Sequence, residues 1–97
     1  MADLQVVALI PAKPGSEDTI RAALSTLAEA SRHHDGCTAY QLFESAAAPG
    51  TFVTVETWRD QAALDAHMQT EDIATALGVA ADHLGGEIAI HPLVPIG

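Results

Sequence analysis

Along this chain the hydrophobic period switches between that of a strand and that of a helix in a fixed order, and the order leaves few folds open. Leu4 to Ile10, LQVVALI, is a short β-branched apolar run closed by Pro11, which reads as a first strand buried on both faces. After Lys13, Pro14 and Gly15, Ser16 stands where a helix N-cap belongs. Glu17 and Asp18 follow where the helix dipole favours negative charge, and Ile20, Leu24, Leu27 and Ser31 recur at helical spacing. That helix is expected to end near Asp35 and Gly36. Residues 37–44 (CTAYQLFE) and 51–58 (TFVTVETW) are rich in β-branched and aromatic residues, and the SAAAPG segment between them has the chemistry of a hairpin turn. Asp60 then caps a second helical region with Leu64, Met68, Ile73, Leu77, Ala81 and Leu84 on one stripe and a break near Thr70. Gly85 and Gly86 stop it. Residues 87–93 (EIAIHPL) give a fourth strand, followed by an arm stiffened by Pro92 and Pro95.

The order β-α-β-β-α-β, with right-handed crossovers, predicts an α+β fold: a ferredoxin-like sandwich of one antiparallel sheet with its helices on a single face. No repeat, linker or low-complexity stretch divides residues 1–97, so one domain is expected. Val53, Val55, Val7 and Leu9 would leave the other sheet face apolar, and a second copy packing sheet to sheet is the economical cover. With 97 residues and only four aromatic ones (two Phe, one Tyr, one Trp), the core is small, which also favours a homodimer.

Four Lys plus Arg against thirteen Asp plus Glu give a net charge of −9, a field that repels phosphate backbones and anionic lipid. Neither nucleic acid nor membrane is an expected partner. The lone Cys37 has no partner for an internal disulfide, no basic segment precedes an apolar one in signal-peptide fashion, and no apolar run approaches the ~20 residues of a bilayer span. A cytoplasmic location fits.

Strand alternation places Phe52, Thr54, Glu56 and Trp58 on one face of the third strand and Val53, Val55 and Thr57 on the other. If the mixed face lies under the helices, Glu56 and Trp58 line the gap, and His67, near Leu64 on the helix, looks into it. One reading is packing alone: Trp58 closes the end of the core, His67 is half-exposed, and Glu56 pairs with Arg59 or Arg21. The other is a pocket in which an imidazole, a carboxylate and an aromatic wall bind a planar aromatic substrate and move a proton from its hydroxyl. The run His33, His34, Asp35, Gly36, Cys37 reads as a solvated helix C-cap, since adjacent side chains point in different directions and no second cluster has zinc spacing. His83 and His91 flank the Gly85–Gly86 turn without forming a metal motif, and none is expected. Residues 13–16 lack the order of a phosphate loop, and no nucleophile triad signature is present.

Residues 12–15 (AKPG), 35–40 (DGCTAY), 56–58 (ETW) and 64–70 (LDAHMQT) together resemble the antibiotic biosynthesis monooxygenase domain, especially its small bacterial quinol monooxygenases. The resemblance spans nearly the whole chain. It implies a dimeric α+β barrel and a cofactor-independent monooxygenase that oxidises a quinol-like or polyketide-derived aromatic with O₂, the protein supplying binding, desolvation and a base. It assigns catalytic roles to His67, Trp58 and Glu56, and a substrate pocket to Tyr40, Thr54, Phe52, Ala8, Leu64 and Leu77. One departure stands out. Where close relatives carry a second histidine in a T-x-H sequence, this chain has Thr70, Glu71 and Asp72. Haem-degrading relatives use an Asn, a Trp and a His at the positions held here by Ala8, His67 and Leu77, so haem has no axial histidine. Flavin lacks both a glycine-rich loop and a basic cluster, and no cofactor is expected. The family also holds isomerases and proteins without activity. An isomerase or other proton-transfer enzyme on a small oxygenated metabolite, and a non-catalytic small-molecule-binding domain, are therefore the alternatives.

Overall fold

The computed structural model describes residues 3–97. Strands β1 (Leu4–Pro11), β2 (Cys37–Glu44), β3 (Thr51–Trp58) and β4 (Ala89–Pro92) form one antiparallel sheet in the order β2-β3-β1-β4. Helices α1 (Glu17–Ser31), α2 (Gln61–Met68) and α3 (Glu71–Ala80), with a short 3₁₀ turn at Ala81–His83, complete the α+β ferredoxin-like sandwich.

The register explains which face is buried. Ala8 pairs with Thr54 and Val6 with Glu56, so Val6, Ala8 and Ile10 lie beside Glu56, Thr54 and Phe52 beneath the helices. The apolar helix stripe Ile20, Leu24 and Leu27 packs on Phe52 and Ile73, and a second cluster gathers Val6, Tyr40, Leu64 and Trp58. Strand β1 departs from the expectation that both its faces are buried. Leu9 is exposed and Val7 half-buried, because every helix covers the same side of the sheet. With Val55 and Phe43 they leave the outer face apolar.

Local chemistry sets the helix ends. Asp60 accepts from the Ala63 backbone N–H and caps α2, and Thr70 accepts from that of Ile73 and caps α3, so the expected break near Thr70 separates two helices. Helix α1 ends at Ser31, four residues short of Asp35. The chain turns there through Gly36 at φ +80°, where an added Cβ would stand 2.5 Å from that of Ala63. Ser16 precedes α1 but its side chain caps nothing, since its hydroxyl meets His83 Nδ1 at 3.0 Å. Among the described residues no helix is long and apolar enough to cross a membrane.

Candidate functional site

Alternation along β3 does more than bury one face. Positions 54, 56 and 58 share that face, and their side chains close on one another. The Thr54 hydroxyl donates to Glu56 Oε2 at 2.6 Å and the Trp58 indole N–H donates to Oε1 at 2.9 Å, so both carboxylate oxygens are engaged inside the protein. Glu56 is only 4% exposed. Burial pushes its carboxyl above the ordinary carboxylate range, while the two donors pull the other way. The packing alternative had expected an ion pair here. The structure instead sends Arg21 to Asp18 and Glu44, and Arg59 to Asp35 and Asp60.

His67, in the last turn of α2, is 3% exposed rather than half-exposed. Its ring lies against Trp58 at a centroid distance of 4.4 Å and near Tyr40 at 5.9 Å. Its Nδ1 is 2.8 Å from His34 Nδ1, and His34 Nε2 is 2.8 Å from Asp72 Oδ2. Asp72 sits in the first turn of α3, just past the Thr70 cap, and His34 in the turn that closes at Gly36. Burial, and then the neighbouring His34, hold His67 down to about 4 against the smaller opposing effect of Asp72. It is therefore a neutral imidazole at neutral pH. Burial, followed by the Glu56 charge, pushes the Tyr40 phenol well above its ordinary value, which keeps it protonated.

These groups face a cavity of about 180 Å³ between the sheet and the helices. Of the residues singled out from the sequence, His67, Glu56, Tyr40, Thr54, Ala8, Leu64 and Leu77 line it. Two do not. Trp58 is fully buried behind His67 and Glu56, and Phe52 lies in the core with the Arg21 guanidinium over its ring. His34 is the residue that sequence reading passed over. The sequence places it in a solvated helix cap, yet it binds residues 33 and 38 positions away, and no local spacing announces such pairs. His91 pairs with Val7 in the sheet, on the face turned away from the cavity. Among the described residues no group of three or more His, Cys, Asp and Glu side chains is placed to hold a metal ion.

The family model described as antibiotic biosynthesis monooxygenase matches residues 4–78, which take in β1 to β3, α2 and most of α3. The chain belongs to the antibiotic biosynthesis monooxygenase family. It is 30% identical over 91 residues to "Putative monooxygenase Rv0793" of Mycobacterium tuberculosis, covering 94% of this chain and 89% of that protein. A solved structure titled "Crystal structure of antibiotic biosynthesis monooxygenase" superposes with a TM-score of 0.89 at 31% identity, covering 97% of this chain and 99% of that one. An uncharacterised Synechocystis protein is 38% identical over 61 residues, 63% of this chain, but the match spans only 42% of that relative's length. In this family member, then, the E-x-W motif builds a buried carboxylate clamp, and the helix histidine packs against the tryptophan of that motif.

Proposed function

We propose that this family member is a monooxygenase that oxidises a small hydroxylated aromatic, such as a quinol, with O₂ and without a cofactor, and that it works as a homodimer. The observation that carries this reading is a neutral, buried imidazole on an apolar cavity, close to a buried carboxylate and an aromatic wall. Such a base takes the hydroxyl proton, and the resulting phenolate is electron-rich enough to reduce O₂ once water is excluded. One oxygen atom enters the ring and the other leaves as water, the substrate supplying all four electrons. His67 is the candidate base, Glu56 the second, and Trp58 the group that holds both. Tyr40, Thr54, Ala8, Leu64 and Leu77 shape the cavity. Its size narrows the substrate: a cavity of ~150 Å³ holds one benzene, so about 180 Å³ suits a single substituted ring better than a fused polyketide. The apolar outer sheet face supports the dimer, and the −9 charge argues against nucleic-acid and membrane partners.

A second reading is favoured by a specific feature. Glu56 is pushed up while His67 is pushed down, the pattern of an acid and base prepared for proton transfer, which an isomerase of a small oxygenated metabolite would share. A thermal-shift screen of hydroquinones, simple phenols and anthrones, followed by oxygen uptake with each stabilising compound, separates the two. Monooxygenase action predicts O₂ consumption that survives dialysis against chelator and falls ~10²- to 10⁴-fold in His67→Ala. Turnover of a stabilising compound with no O₂ uptake would favour the isomerase.

A further inference from the structure

The contacts that His67 makes behind the cavity fix more than its position. A carboxylate only accepts hydrogen bonds, so at 2.8 Å from Asp72 Oδ2 the His34 Nε2 must carry the hydrogen. A singly protonated His34 then has a bare Nδ1. The 2.8 Å contact between the two Nδ1 atoms needs one hydrogen between them, and it has to be that of His67. That leaves the lone pair on His67 Nε2, the ring nitrogen not engaged by His34, and the His67 side chain lines the cavity.

We propose that Asp72 and His34 are positioning residues for His67: they hold its imidazole in the Nδ1–H tautomer and receive that Nδ1 proton when Nε2 takes one from a bound hydroxyl. The identity of the proton donor rests on the proposed function, whereas the tautomer rests on the contacts of a singly protonated His34. The transfer balances. The ligand O–H bond breaks as the Nε2–H bond forms, the His67 Nδ1–H bond breaks as the His34 Nδ1–H bond forms, and the products are a ligand anion and a His34 imidazolium beside the Asp72 carboxylate. His67 is neutral before and after. On His34 the charge lies 2.8 Å from the Asp72 carboxylate, whereas His67 is shut in by Trp58 and Tyr40. The other titratable groups facing His67 are Tyr40 from β2 and Glu56 from β3. Tyr40 is held protonated, and both oxygens of Glu56 are occupied by donors from β3, so neither competes for the Nδ1 proton.

The arrangement also changes how Asp72 is understood. It lies in the first turn of α3, and a histidine from the α1–β2 turn meets it across the structure. The imidazole pair is thus assembled from two elements rather than one.

Histidine-selective ¹⁵N labelling tests the proposal on the resting protein, with no substrate in hand. Long-range ¹H–¹⁵N correlation at pH 7 should show His67 as the Nδ1–H tautomer and His34 as the Nε2–H tautomer. Finding His67 as the Nε2–H tautomer would overturn the proposal. Asp72→Ala, on an exposed helix turn, should leave His67 as a mixture of both tautomers, while Asp72→Asn, which keeps an acceptor oxygen, should retain the single one. Unchanged His67 tautomers in Asp72→Ala would also overturn it. With a hydroquinone that the enzyme turns over, Asp72→Asn should lower kcat at least tenfold with KM little changed, because the acceptor is kept and the charge that holds the proton is lost. No O₂ uptake with any quinol would remove the monooxygenase reading and leave the tautomer result standing.

Discussion

Acidification should unfold this protein through one buried ring. His67 is held down to about 4 by burial, against an ordinary value of 6.5, so between those values the unfolded chain binds a proton that the folded chain refuses. Stability therefore rises with pH across that window and is lost as pH falls from 6.5 toward 4. At ~1.4 kcal/mol for each tenfold change in proton affinity the gap corresponds to about 3 kcal/mol, and solvent entering at the cavity mouth reduces it to about 2 kcal/mol. Glu56 acts in the opposite sense. Its carboxyl is raised in the folded state, so the native protein binds more protons than the unfolded chain just above the ordinary carboxylate value, and ionising Glu56 costs stability as pH rises. The quantity to measure is consequently the difference between wild type and His67→Phe, a ring of similar size that does not titrate. Urea unfolding at several pH values, followed by the fluorescence of Trp58, the single tryptophan, at one fixed protein concentration, gives it directly. Wild type should lose about 2 kcal/mol relative to the variant between pH 7 and pH 4. A difference that stays flat over that range would show that His67 is freely protonated in the fold, and the neutral-base reading would fall with it.

Trp58→Ala should cost ~3 to 5 kcal/mol by cavity formation, read as a lowered urea midpoint, because the indole is fully buried and its N–H holds Glu56. Gly36→Ala should lower stability by ~1 to 3 kcal/mol and disturb the His34 turn, since φ is +80° and the new methyl would meet Ala63 at 2.5 Å; an unchanged melting temperature would contradict the turn geometry. Light scattering at micromolar concentration should report a dimer for wild type and a monomer for Val55→Lys, which places a charge on the apolar outer face; a monomeric wild type would refute the sheet-to-sheet pairing.

Most of the fold was legible because its signals are local. The strands over 37–44 and 51–58, and the helix break near Thr70, follow from alternation and capping chemistry that act within a few residues. Features that depend on distant partners were not legible. The turn after α1 passes through Gly36, where any Cβ would meet Ala63 27 positions away, a constraint that helical spacing does not contain. Strand β1 has the composition of a doubly buried strand, and only the placement of every helix on one side shows that its Val7 and Leu9 face outward. The cavity side of β3 was readable residue by residue, because positions 54, 56 and 58 must share a face. The hydrogen-bond partner of His67 was not: the direction of His34 is decided by a tight turn, and its two bonds reach α2 and α3.

The division of labour inside the site follows from the same distinction. A pleated strand holds Thr54, Glu56 and Trp58 at fixed spacing, so the carboxylate is clamped by neighbours two residues away on either side and has little freedom to move. The histidine pair is instead assembled at helix ends and a turn, where small shifts in backbone angle swing a side chain through a larger arc. The carboxylate is thus held within one strand and the imidazole pair between a helix and a turn. With His67 neutral and Glu56 carrying whatever negative charge the cavity holds, an anionic ligand would meet repulsion from both the cavity and the −9 exterior, whereas a neutral phenol arrives unopposed and becomes an anion only as its proton leaves. A positive charge formed on His67 would remain against the new anion and favour the proton's return; moved on to His34, it is screened by Asp72 and by solvent. In the proposed reaction the anion would then be left in an apolar cavity, the condition in which it would most readily give an electron to O₂.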